Sequence, residues 1–191
     1  MTIGPDEFMR LAFANVDLTK EVPAVSCARP NKEGKLGFPA QPYQAGVIVS
    51  SMPWHFNITT FRLPERGEIF HARLVCAAST RVIVLDDIGD HPKSKISFDT
   101  FDNRSPPLPH YVLATREEDG KANCQIGYFI EPSNPDQASE LIKALIKAGL
   151  TDPGMRSANR WARLPGSTKH GGTYAARLLE WDPPRMAPCQ T

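Results

Sequence analysis

Between residues 45 and 130 the apolar positions fall into short runs broken by Pro, Gly and charged residues, a rhythm that predicts strands rather than helices. The first candidates are AGVIVS at 45–50, FNITTFR at 56–62, FHARLVC at 70–76 and RVIVL at 81–85. HYVLAT at 110–115 and NCQIGYFI at 123–130 follow, flanking REEDGKA, whose Asp119-Gly120 pair is a hairpin-turn signal. Two segments have helical spacing instead. PDEFMRLAFA at 5–14 opens with Pro and two acidic residues and sets Phe8 near Leu11 and Met9 near Phe13, which predicts a short amphipathic helix able to cap a sheet. The other starts at Ser133: Ser133 and Asp136 have capping-box spacing, Ala138, Leu141, Ile142, Leu145 and Ile146 form the apolar stripe, and Gly149 sits where a C-cap belongs.

The rest is less regular. Cys27 to Gln44, rich in Gly, Pro, Lys and Gln, predicts a long loop or irregular hairpin, and Asp87 to Pro109 an exposed loop around one short strand. Residues 159–165 either close a helix or enter a strand, and YAARLLEW at 174–181 fits both periods. The final MAPCQT reads as a frayed tail or a truncation within a longer polypeptide.

At 191 residues one domain, 1–191, is the default, and 41% hydrophobic content suits a globular core. Lys and Arg number 22 against 21 acidic residues, so a net charge of +1 gives no global signal for nucleic acid, and any anionic ligand needs a local patch. Cys27, Cys76, Cys124 and Cys189 are far apart, which argues against a cysteine zinc site and fits a reducing compartment. No run approaches the roughly 18 apolar residues of a membrane span, and MTIGPDEFMR lacks the basic region and apolar core of a secretion signal. A cytoplasmic protein without membrane partners is expected.

Candidate chemistry begins where RVIVL runs into Asp86 and Asp87. Acidic residues at the end of a buried strand can hold a hard divalent ion such as Mg²⁺ or Mn²⁺, although many strands end in Asp without a function. Adjacent strand residues point to opposite faces, so both carboxylates serve one cluster only if the strand twists or ends there. Asp152, after the second helix, is a third candidate ligand and equally a turn residue before Pro153. Arg160, Arg163 and Lys169 could bind a triphosphate, with backbone donors and two hydroxyls from Pro165 to Thr168 beside them; Trp161 and Leu164 read as core. Asn123 and Gln125 share a strand face, facing either a ligand or solvent. The five histidines form no HxH or HExxH pattern, which excludes a zinc hydrolase. His170, next to Lys169, is the one placed to meet a phosphate, and His91 follows the acidic loop. Ser/His/Asp catalysis lacks a GxSxG elbow.

In this order the elements resemble the archaeo-eukaryotic primase superfamily, specifically the primase-polymerase domains of bacterial plasmid and phage replication proteins. The resemblance runs from about Val82 to Trp181: VIVLDD matches the acidic first motif, NCQIGYFIEP the second, with Gln125 where a histidine often stands, and GLTDPG the third, followed by RWARLPGSTKHGG. It implies an α+β fold with an RNA-recognition-like α/β unit and an N-terminal α/β unit. It also implies a metal-dependent primase/polymerase on a single-stranded DNA template, with Asp86, Asp87 and Asp152 holding Mg²⁺ or Mn²⁺. Asn123, Gln125, Arg160, Arg163, Lys169 and His170 would meet the nucleoside triphosphate, and Lys93, Lys95 and Arg104 would contribute to template binding. A helicase domain or replication protein is the implied partner. Two rivals remain at this stage: a catalytically weak nucleic-acid-binding replication module and a metal-dependent nuclease using the same carboxylates.

Overall fold

The computed structural model describes residues 3–49, 52–154, 156–169, 172 and 174–182. Helix α1 (Pro5–Ala12) is followed by strands β1 (Glu21–Cys27), β2 (Arg29–Pro30), β3 (Leu36–Gly37), β4 (Ala40–Pro42), β5 (Trp54–Arg62) and β6 (Ala77–Gly89). Then come α2 (Phe98–Asp102), β7 (Tyr111–Glu118), β8 (Lys121–Ser133), α3 (Pro135–Lys147), β9 (Trp161–Arg163) and β10 (Arg177–Trp181). The main sheet is antiparallel in the order β10-β7-β8-β6-β5-β1-β4, with β9 added to β5, and β2 and β3 form a small hairpin of their own.

The site is set by the way this sheet divides. β6 pairs with β5 only near its start, at Ala77 and Thr80, and then runs on beside β8 alone; β9 takes the vacated edge of β5 at His55, Phe56 and Asn57. A buried polar network fixes that exchange. Asn57 Nδ2 donates to Asn159 Oδ1 at 2.8 Å, while Thr59 Oγ1 contacts Thr80 Oγ1 at 2.9 Å and donates to the Ala158 carbonyl at 2.8 Å. These bonds satisfy strand-face polar groups that would be costly to bury unpaired. Helix α1 wedges between the two halves: Phe8, fully buried, lies 5.2 Å from the Phe56 ring of β5, 5.1 Å from Tyr111 of β7 and 5.5 Å from Trp181 of β10. Helix α3 packs along β6 through Ala138 and Ile142.

Several elements match the sequence reading. The hairpin joining β7 and β8 turns at Asp119 (φ 50°) and Gly120 (φ 74°), the left-handed pair that a two-residue hairpin requires. Gly149 (φ 68°) ends α3 with its N–H bonded to Ile146 O and that of Leu150 to Leu145 O, a Schellman closure. Other readings are corrected. The N-cap of α3 is Asn134, not Ser133: its side chain accepts from the Asp136 N–H, and Pro135 occupies the first turn. Residues 45–49 form no strand, because they lie outside the β1–β4 ladder; Ile48 drops into the core with Val47 packed against it, and Val49 is left exposed. The segment 70–76 ends in a single 3₁₀ turn, Leu74–Cys76, with Val75 exposed. The loop after β6 holds α2 rather than a short strand, capped by Ser97 accepting from the Thr100 N–H. Strand β1 went unforeseen because Pro23 interrupts its pattern; Pro23 sits at a register shift against β5, where a missing N–H is tolerated. Residues 159–165 enter strand β9, and 174–181 contain strand β10. His170 and the terminal MAPCQT segment lie outside the described residues.

One packing contact yields a sharp expectation. Gly127 pairs with Tyr111 across β7 and β8, and a Cβ on Gly127 would lie 1.8 Å from the buried Tyr111 ring. Gly127→Ala is therefore expected to destabilise the fold by about 3 kcal/mol, measured by urea unfolding, with much of the loss recovered when Tyr111→Leu is added.

Candidate active site

The two acidic residues of β6 act as neighbours because the strand is irregular where they sit. The register against β8 slips between Leu85 and Ile88, and Asp87 adopts φ 61°. This bulge breaks the face alternation that would otherwise separate adjacent carboxylates. A left-handed conformation is uncommon for a residue other than glycine, and Asp is among the side chains that tolerate it. Asn123 Nδ2 holds Asp87 Oδ1 at 2.9 Å, and Asp86 Oδ1 accepts from the Asp87 N–H at 2.9 Å.

Asp152 reaches the same place from the far end of α3. Asp86 N–H donates to Thr151 Oγ1 at 2.9 Å and Asp152 N–H to Asp86 O at 3.3 Å, so the loop after α3 is bonded to the backbone of β6. The ammonium of Lys95 sits between the two outer carboxylates, 2.7 Å from Asp152 Oδ1 and 3.2 Å from Asp87 Oδ2. Both contacts, Asp152 first, raise its pKa. Asp86 has its pKa raised by burial and then by the charge of Asp87. Among the described residues, no three His, Cys, Asp or Glu side chains converge closely enough to hold a metal ion as they stand. The donor chemistry nevertheless suits one: hard carboxylate oxygens from two distant segments already converge on one cation, with a third carboxylate adjacent.

A pocket of about 200 Å³ opens beside the carboxylates, lined by Asp86, Asp87, Asn123 and Gln125 on one side and His55, Trp161 and Arg163 on the other. Gln125 Oε1 accepts from the Arg163 N–H at 3.0 Å, and its amide also bonds the Asp86 carboxylate. The Arg163 guanidinium donates to Thr115 O at 2.7 Å. Burial lowers the Arg163 pKa, and Asp86 opposes that shift. Arg160 Nη1 bonds Gly154 O at 2.6 Å; burial lowers its pKa to about 10, against the pull of Asp86 and Asp152, and it stays cationic at neutral pH.

Other candidates lie elsewhere. Lys169 lines a separate hollow with Cys27, Arg29, Gln41 and Pro53, not the carboxylate pocket. Lys93 is exposed, and the Arg104 guanidinium covers Gly149 at the C-terminal end of α3, where a cation complements the helix dipole. His91 is buried: its Nδ1 accepts from the Lys93 N–H at 3.0 Å, and its Nε2 faces Glu118 at 3.4 Å rather than the aspartates.

His55, Phe38 and Arg116 also line the pocket and escaped the sequence reading. His55 Nδ1 lies 3.0 Å from Pro53 O, and burial, then Arg163, lowers its pKa to about 4, so the ring is neutral at physiological pH. Phe38 meets His55 edge-on at 5.0 Å and lies parallel to Trp161 at 6.4 Å. The one available signal was the run His55, Asn57, Thr59, polar at every second position and alternating with the apolar Trp54, Phe56 and Ile58.

No family model and no curated protein matches the chain. Among solved structures it is similar to the AEP (archaeo-eukaryotic primase) domain of the primase-polymerase (PrimPol) of cyanophage S-2L: 16% identity, a TM-score of 0.64, and 92% of this chain aligned with 91% of that one. Likeness over nearly the whole of both chains at so low an identity is a statement about architecture: this chain has an archaeo-eukaryotic primase-like fold.

Proposed function

We propose that this chain is a metal-dependent nucleotidyltransferase that joins nucleotides on a single-stranded DNA template, by attack of a 3′-hydroxyl on the α-phosphate of an incoming nucleoside triphosphate with pyrophosphate leaving. The observation that carries this reading is the convergence of Asp87 and Asp152 on one cation beside Asp86, at the mouth of a pocket backed by arginine. Asp86, Asp87 and Asp152 would hold Mg²⁺ or Mn²⁺, and a bound ion there would acidify the attacking hydroxyl and offset charge on the leaving phosphates.

The chain's own groups have separable parts in this scheme. Arg163 and Arg116 supply fixed positive charge for the phosphates, and Arg160 does so from beside Asp152. Asn123 and Gln125 hold Asp87 and Asp86 in place. Neutral His55 lines the pocket without adding positive charge. Whole-ligand pockets typically measure about 300–1,000 Å³, so the smaller space beside the carboxylates fits the reacting phosphate end of a nucleotide. Lys169, in the hollow with Arg29, suits template phosphates, whose binding would weaken as salt rises. His170 is assigned to the same phosphates through its neighbour Lys169, and a helicase or other replication protein is the proposed partner.

The test is incubation of the purified chain with single-stranded DNA templates, labelled nucleotides and Mg²⁺ or Mn²⁺, with and without a primer, resolving products by size. Template-dependent lengthening is the expected result, and products without a primer would add priming. Shortened DNA without incorporation would identify a nuclease, and DNA binding with no product a binding module; either outcome overturns the reading.

A further inference from the structure

We propose that Lys95 is a tethered countercation, occupying the position between Asp87 and Asp152 that a divalent ion must take and thereby setting how much free ion the chain needs. The inference rests on the reading above that these aspartates bind Mg²⁺ or Mn²⁺.

Its support begins with the backbone. The N–H groups of Lys95 and Ile96 both donate to Asp87 O, at 3.0 and 3.1 Å, and Gly89 N–H returns to Ile96 O at 2.9 Å. The intervening loop is stitched to β8: His91 N–H donates to Ala122 O at 3.2 Å, Ala122 N–H to Asp90 Oδ1 at 2.8 Å, and Ser94 Oγ to Asn123 Oδ1 at 2.8 Å. Gly89 makes the close approach possible, since a Cβ there would fall 2.0 Å from Ala122 O. The chain thus leaves β6 at the acidic pair and is brought back directly over it, with Lys95 as the side chain delivered to the carboxylates.

The contact differs from an ordinary surface ion pair in bridging two carboxylates from segments far apart in sequence. Without a cation those carboxylates would repel across the gap. The lysine side chain is nevertheless 55% exposed, so it has room to swing away when a divalent ion arrives. An exposed ion pair is weak and is exchanged cheaply. An occupant that fills a site for most of the time lowers the apparent affinity of a competitor by the free fraction.

The decisive measurement is a Mn²⁺ titration of the full chain without nucleotide, following free Mn²⁺ by electron paramagnetic resonance, on the parent, Lys95→Gln, Lys95→Arg and Asp152→Asn. Lys95→Gln is expected to bind Mn²⁺ about 2- to 5-fold more tightly than the parent, Lys95→Arg to stay near the parent, and Asp152→Asn to bind more weakly. A thermal scan supplies the second readout: Mn²⁺ should raise the Tm of Lys95→Gln by more than that of the parent. Affinity in Lys95→Gln equal to or weaker than the parent's would show that the lysine only braces the loop and would overturn the inference. A parent chain whose Mn²⁺ binding is absent, or indifferent to Asp152→Asn, would overturn the divalent-site reading and this inference with it.

Discussion

Asp86→Asn is expected to lower template-directed incorporation by on the order of 10²–10³-fold while leaving the metal-free fold as stable as the parent or more so. The two halves of this expectation have separate causes. Asp86 lies beside the carboxylates that bracket Lys95 and faces the pocket, so a neutral amide removes charge where the proposed reaction needs it. For stability the sign runs the other way. Burial, and then the neighbouring charge of Asp87, raises the folded-state pKa of Asp86. A carboxyl so raised costs nothing below its unfolded-state pKa and exacts its full cost once pH exceeds the folded-state value. Asparagine keeps the acceptor oxygen used by the Asp87 N–H and never ionises. Its advantage should therefore be present at neutral pH and vanish below about pH 4. Extension assays at saturating Mn²⁺, paired with metal-free thermal unfolding at pH 7.5 and pH 4, make the comparison. Retained synthesis would remove Asp86 from the site, and a large fall in Tm would mean that the residue's principal role is structural. The exchange of stability for charge at one position is what a site built for function, rather than for packing, predicts.

The sequence signals behind this site are local in some places and absent in others. The apolar run entering Asp86, the Asp119-Gly120 turn and the α3 stripe ending at Gly149 all depend on residues within a few positions of one another, and each was readable. Whether Asp86 and Asp87 act together was not: it depends on a one-residue slip in pairing with β8, a property of two strands separated by α2 and β7. The same holds for Asp152, whose proximity rests on a bond between Asp86 N–H and Thr151 Oγ1 that no spacing rule foretells. Lys95 looked like one of several loop cations, and only the return of the loop onto β6 separates it from Lys93. Strand β9 is too short to show any period, and its position is dictated by the edge that β6 leaves free on β5. The apolar runs at 45–50 and 70–76 misled for a related reason. A β-branched or aromatic run becomes a strand only where a neighbour offers a ladder.

The largest stability effect is expected away from the pocket, at Arg81. On β6, ahead of the acidic pair, Arg81 and Glu21 of β1 form an ion pair in which both residues are nearly inaccessible. Arg81 Nε also donates to Ser79 Oγ at 2.9 Å, while the Glu21 carboxylate accepts from Ser79 Oγ at 2.8 Å and from Thr60 Oγ1. Burial alone would push the Glu21 pKa up; the hydroxyls of Thr60 and Ser79, and then Arg81, outweigh it and hold the pKa below the usual carboxylate value. Stability from a depressed carboxyl is present above its unfolded-state pKa and lost as pH falls through the folded-state value. Arg81→Met removes the cation paired with Glu21 and leaves a buried carboxylate, at a cost of about 3–5 kcal/mol at pH 7. In a chain of this size that corresponds to a fall in Tm of about 10 °C. Because Glu21 in the variant is governed by burial, it should take up a proton as pH drops, and the deficit relative to the parent should shrink near pH 4.5. Adding Glu21→Leu should recover most of the loss, since an apolar pair of similar volume often replaces a buried ion pair without penalty. Urea unfolding of the parent, the single variant and the double variant at both pH values measures all three expectations. A deficit at pH 7 below about 1 kcal/mol would put the pair among weak surface contacts, and a deficit independent of pH would assign the loss to Arg81 packing rather than to the stranded charge. This stretch of β6 is also the last length bonded to β5 before the strands part. A loosened β1–β5–β6 junction should therefore lower the occupancy of the folded site while leaving the intrinsic rate of the folded fraction unchanged.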